Sequence, residues 1–160
     1  MKRLAIAVSI LAIGAAGCGS KSPGSPSTAT IFTVPLSALS EVPPITNAEA
    51  TARGTAVITI DSAKNTVDFN VSLNGFPAGS AVNIAHIHGP ASASATASVV
   101  ISTTLTPGNV PLTNGAGTFS FLQVQAPAAQ VAAILAAPQS FYFNVHTTLN
   151  GGGAVRGQLQ

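Results

Sequence analysis

Residues 53–73 read Arg53-Gly54-Thr55-Ala56-Val57-Ile58-Thr59-Ile60-Asp61, then Ser62-Ala63-Lys64-Asn65, then Thr66-Val67-Asp68-Phe69-Asn70-Val71-Ser72-Leu73. In the first run Ala56, Ile58 and Ile60 share one face, and Thr55, Val57 and Thr59 the other. The second sets Val67, Phe69, Val71 and Leu73 against Asp68, Asn70 and Ser72. A period of two is that of a strand with one buried face, because successive side chains leave a pleated backbone on opposite sides. Ser-Ala-Lys-Asn between the runs is turn chemistry, so the segment predicts a β-hairpin. The hairpin sets the fold class as all-β.

The pattern extends in both directions. Ile31–Ser37 predicts an opening strand. Glu41-Val42-Pro43-Pro44 predicts an extended loop or edge, because paired prolines cannot donate to a sheet ladder. Beyond the hairpin, Val82–His88 reads as a strand ended by Gly89-Pro90, and Ala91–Ala97 as an Ala/Ser surface loop. Val99–Leu105 reads as a strand and the Gly-, Pro- and Asn-rich stretch 107–117 as a loop. Thr118–Val124 reads as a strand with Phe119 and Phe121 on one face. Residues 127–136 predict the one short helix, with Pro127 in a first-turn position, alanines that favour helix, an apolar stripe of Val131, Ile134 and Leu135, and Pro138 as a stop. Ser140–Thr147 and Ala154–Leu159 complete the set. About eight short strands and one helix predict an antiparallel, immunoglobulin-like Greek-key β-sandwich.

Composition agrees and excludes some functions. Of 160 residues only 6% are charged, against roughly 25% in an average soluble domain. The formal charge is +2, but Lys2 and Arg3 lie in a segment that reads as a removable leader. The remaining cations, Lys21, Arg53, Lys64 and Arg156, balance Glu41, Glu49, Asp61 and Asp68. A near-neutral domain without a basic stripe speaks against nucleic-acid binding. No Gly-x-Ser-x-Gly, phosphate loop or dinucleotide fingerprint is present. The residues therefore predict a non-enzymatic binding or structural role.

The N-terminus reads as an address. Met1-Lys2-Arg3 is a positive start and Leu4–Ile13 an apolar run too short to span a bilayer as a helix. Ala15-Ala16-Gly17-Cys18 then resembles a bacterial lipobox, with Ala15 where Leu is usual. That resemblance implies cleavage after residue 17, a diacylglycerol on the Cys18 thiol and acylation of its amine. Cys18 is the sole cysteine, so no intramolecular disulfide is available. Residues 19–30, rich in Ser, Pro and Gly, predict a tether of about 20 Å reach between anchor and domain. The expected organisation is signal 1–17, lipidated Cys18 and tether 18–30, and domain 31–160. The membrane is the expected partner through the lipid anchor, with a protein partner unassigned. The location is the cell envelope, and Gly19 after the cysteine favours the outer membrane in a Gram-negative source.

Five landmarks in order resemble the chordin-type (CHRD) domain family. They are Leu39-Ser40-Glu41-Val42-Pro43-Pro44, Arg53-Gly54-Thr55-Ala56, Ala85-His86-Ile87-His88-Gly89-Pro90, Tyr142-Phe143-Asn144-Val145-His146-Thr147 and Val155-Arg156-Gly157-Gln158-Leu159. The resemblance spans nearly all of 31–160. It implies a β-sandwich of secreted and lipid-anchored bacterial proteins, also present in animal chordin, which binds growth factors. It implies no established enzymatic activity. The family's end usually reads Gly-Glu-Ile-Arg-Gly, whereas here Gly153-Ala154-Val155-Arg156-Gly157 lacks the acid.

Two sets of residues carry the chemistry. His86 and His88, two apart on a strand, project from one face with Cα atoms roughly 6.5–7 Å apart. His146 from another strand could join them. Two readings stand. The histidines form a buried hydrogen-bonded network with Tyr142, Asn144 and backbone, with no cofactor. Alternatively they bind zinc or copper, with Glu41 as fourth ligand or supporting carboxylate. Glu41 and Arg156, in so uncharged a chain, are expected to form a partly buried bidentate ion pair. A third role, partner binding, predicts an exposed apolar patch in loop 91–97 or 107–117.

Overall fold

The computed structural model describes residues 29–108 and 110–160. The leader, Cys18 and most of the tether lie outside these residues. The described chain forms nine strands and one α-helix: β1 Ala29–Ser37, β2 Arg53–Asp61, β3 Thr66–Asn74, β4 Ala81–His88, β5 Val99–Ser102, β6 Val110–Pro111, β7 Gly117–Gln125, α1 Ala128–Ala136, β8 Tyr142–Thr147 and β9 Val155–Gln158. Single 3-10 turns at Ala38–Ser40 and Pro138–Ser140 precede two of the site segments.

The expected hairpin is present in full register. β2 and β3 pair without a slip from Arg53↔Asn74 to Asp61↔Thr66. Asp61 accepts from the backbone N–H groups of Ala63 and Lys64 and so closes the turn. The inward sets are buried as the alternation requires, with Ala56, Ile58, Ile60, Val67 and Phe69 all at 0% exposure. β1 extends the hairpin by pairing along the whole of β2, and begins at Ala29, inside the expected tether.

The all-β antiparallel class is observed; the finer two-sheet Greek-key arrangement is not, the strands running as one continuous sheet in the order β5-β4-β8-β9-β1-β2-β3-β7, with β6 alongside β4. The halves are joined where β9 meets β1 at Ser37↔Arg156. The sheet curls about this seam into a half-barrel. Its halves then face each other: Phe69 of β3 stacks on Phe143 of β8 with centroids 5.6 Å apart, although three strands separate them in the sheet. Val131 and Ile134 of α1 are buried in the same core.

Two further departures have local causes. β5 ends at Ser102: Thr103 still donates its N–H in register to the Ala85 carbonyl of β4, and Thr104 then takes a left-handed φ of +63°, which no strand continues through. β6 lies in a stretch expected to be loop; Pro111 is tolerated there because the strand is an edge of two residues. The large exposed apolar side chains among the described residues are Ile31, Leu39, Val99, Leu122 and Leu149. None of them is in loop 91–97 or loop 107–117, so the apolar patch expected there is not formed.

β8 positions the site. All six of its residues are buried. An antiparallel strand ordinarily leaves one face to water. Here Phe143 and Val145 enter the core, and Tyr142, Asn144 and His146 point to the other face, where loops cover them.

Candidate metal centre

β4 and β8 bring the three histidines together. Their register sets His146 opposite Ile84, Asn144 opposite His86 and Tyr142 opposite His88. With Ile87 at 0% exposure in the core, His86 and His88 project to the opposite side, as the two-residue spacing requires. The ring centroids of His86 and His146 are 4.8 Å apart, those of His86 and His88 5.2 Å, and those of His88 and His146 6.1 Å. One ring nitrogen from each lies within 4.8 Å of the others. A site with bonds of 2.0–2.1 Å needs nitrogens about 3.3–3.6 Å apart, so the rings must close by about 1 Å to share an ion.

Hydrogen bonds decide which nitrogens face inward. His88 Nδ1 lies 2.9 Å from the Ala97 carbonyl and His146 Nδ1 lies 3.0 Å from the Gly151 carbonyl. A carbonyl only accepts, so each Nδ1 carries the hydrogen and each Nε2 keeps a lone pair. Both Nε2 atoms are buried and unpartnered, and so is His86 Nδ1. Orientation of a ligating imidazole by a backbone carbonyl on its far nitrogen is a recurrent support in metal sites.

Electrostatics keep the rings neutral. Burial pushes His86 down to about 4, helped by repulsion from His146 and His88. Burial also lowers His88, with the Ala97 bond opposing and His146 and Arg156 assisting. His146 is lowered by burial against the Gly151 bond. All three therefore present uncharged donors at neutral pH. His88 and His146 are buried, and the half-buried His86 is the ring with access to solvent.

A second layer surrounds the trio. Tyr142 lies parallel to His88, at 3° and 4.8 Å between centroids. The Arg156 guanidinium lies 3.6 Å over the Tyr142 ring. β8 runs between β4 and β9, so Arg156 and His88 take opposite faces of that ring. Arg156 Nη2 donates to the Ser92 carbonyl and to Gln158 Oε1, at 3.0 and 3.2 Å. The Ala97 N–H donates to the Tyr142 hydroxyl. Loop 91–97 is thus a cover pinned to the site at both ends, a role that its Ala/Ser composition does not announce.

The expected Glu41–Arg156 ion pair is not formed. Among the described residues the ion pair is Lys64–Asp61 at the hairpin turn, 3.0 Å. The face of Tyr142, Ser92 and Gln158 occupy the guanidinium, and Glu41 Oε2 instead accepts from Asn144 Nδ2 at 3.3 Å. Burial pushes the Glu41 carboxyl up to about 7, against the attraction of Arg156 and the Asn144 bond. Glu41 is not among the converging donors. Asn144 likewise serves Glu41 rather than a histidine. Ala154, at the position of the missing acid, is fully buried at the foot of β9. The unpartnered buried polar side-chain atoms of the described residues, Glu41 Oε1, His86 Nδ1, His88 Nε2, Asn144 Oδ1 and His146 Nε2, all belong to this one layer.

Glu49 is a supporting residue that the sequence reading missed. It is fully buried and accepts from Ser80 Oγ at 2.7 Å, Thr147 Oγ1 at 2.7 Å and Asn150 Nδ2 at 2.6 Å. It thereby fixes the turn whose Gly151 carbonyl orients His146. Nothing in Asn47-Ala48-Glu49-Ala50 marks it, because its donors lie about 30 and 100 residues away.

The family model described as the CHRD domain matches residues 32–159. The chain belongs to this family. No curated protein matches the chain, and no solved structure does.

Proposed function

We propose, from its membership of the CHRD domain family, that this chain is a non-enzymatic, lipid-anchored domain of the cell envelope whose three-histidine centre binds a transition-metal ion. One observation carries the metal reading: three neutral imidazoles converge, each with a buried unpartnered ring nitrogen, two of them held by backbone carbonyls in the tautomer that leaves Nε2 a lone pair. A shared ion would satisfy these nitrogens, each of which otherwise costs about 1–3 kcal/mol when left without a partner. Imidazole donors suit zinc and copper. The lipid anchor is supported by the lipobox-like Ala15-Ala16-Gly17-Cys18 and the Ser/Pro/Gly tether after it.

The metal reading is tested with protein carrying no His tag. Zinc and Cu(I) are titrated while the histidine resonances are followed. One ion per chain is expected, lost when His86 and His146 are both replaced by Ala. Absence of stoichiometric metal and unmoved His resonances refute it. For the anchor, intact mass and acyl labelling are expected to show a mature chain that starts at an acylated Cys18.

A further inference from the structure

We infer that the centre selects a monovalent ion, cuprous copper, over divalent zinc; this rests on the metal-binding reading above. The donors are one ring nitrogen each of His86, His88 and His146, all in neutral rings, and no carboxylate or thiolate of the described residues joins them. A bound ion therefore keeps its whole charge. His88 and His146, 8% and 6% exposed, shield it on two sides, and the half-buried His86 is the side open to solvent. Coulomb energy scales with ionic charge, so every unfavourable field at this site counts twice against a divalent ion.

One such field is built in. Arg156 is 1% exposed, stacks on the far face of the ring that stacks on His88, and has no carboxylate within ion-pair distance. Only the Tyr142 ring separates its guanidinium from the His88 imidazole, with 3.6 Å from the guanidinium carbon to the ring centroid and 4.8 Å from there to the imidazole centroid. Glu41 is the one acid hydrogen-bonded into this layer, through Asn144. When ionised it offsets Arg156, while the other buried acid nearby, Glu49, is taken up by Ser80, Thr147 and Asn150 and touches none of the three rings.

The test uses the full chain in detergent at a pH above 7, where Glu41 is ionised. Cu(I) affinity is read under reductant by competition with bathocuproine disulfonate, and zinc affinity by competition with a chromogenic chelator. Wild type is compared with Arg156→Gln and Glu41→Gln, the folds being checked by circular dichroism. Cu(I) is expected to bind one per chain and more tightly than zinc. Arg156→Gln is expected to tighten both, and Glu41→Gln to weaken both, with the change in log Kd about twice as large for zinc. Glu41→Gln, nearly isosteric, carries the comparison if Arg156→Gln does not fold. Zinc binding as tight as Cu(I), or equal shifts for the two ions, overturns the inference while leaving a metal site. Binding of neither ion, or binding that survives loss of His86 and His146, overturns the metal reading itself.

Discussion

Glu41 and the histidines respond to pH in opposite directions. The Glu41 carboxyl is raised from an ordinary 4.5 to about 7. Between those values the folded chain holds a proton that the unfolded chain has released. Its contribution to stability is therefore complete below 4.5 and is lost as pH rises through 7, on the order of 2–3 kcal/mol. His86 is lowered from 6.5 to about 4, so its contribution is complete above 6.5 and is lost as pH falls through 4. His88 and His146 are shifted in the same direction. Glu41→Gln removes the falling limb alone. Urea unfolding at a series of pH values is expected to show the variant gaining on wild type from pH 4.5 to 7, and parallel curves would contradict this. At this scale the sequence showed which residue types were scarce and therefore worth watching. It did not show that Asn144, not Arg156, is Glu41's partner, because residues 41, 144 and 156 meet only after the sheet has formed.

The elements that carry the centre are β4, β8 and the turn that returns β8 into β9. Gly153 in that turn has φ +137°, and a Cβ there would lie 2.7 Å from both Asn144 Nδ2 and Glu41 Oε2. Gly153→Ala is expected to cost about 1–3 kcal/mol from backbone strain and crowding. By moving the Gly151 carbonyl off His146 it is expected to weaken metal binding about tenfold or more. Gly152→Ala, with nothing within 4 Å of the new carbon, is the control and is expected to change neither. Thermal unfolding and metal competition read the two effects. The strands were largely legible in advance. β2 spans the predicted Arg53–Asp61, since alternation is a local property, and β4 and β8 fall within a residue or two of their expected bounds. β6 was not legible, because two residues in a Gly/Pro-rich stretch carry no period. β5 was read too long, because Thr104 adopts a left-handed φ of +63° that no alternation of side chains announces.

For the whole molecule the decisive feature is the curl of a single sheet. Phe69 and Phe143, both at 0% exposure, meet across the core from separate halves. Phe69→Ala is expected to cost about 3–5 kcal/mol by opening a cavity that neither half can fill alone. Phe121→Ala, partly buried on the edge strand β7, is expected to cost less. Denaturant midpoints measured at constant m compare them directly. By itself, the sequence determined the all-β class, the hairpin, the single helix, the family, and the common face of His86 and His88, because each follows from local periodicity or from motifs in order. Only the tertiary structure decided that the sheet is continuous, that His146 joins the pair, that loop 91–97 covers them, and that Glu41 and Arg156 do not pair. Those outcomes depend on which distant strands become neighbours, and a period of two specifies a strand's faces but not the strand beside it.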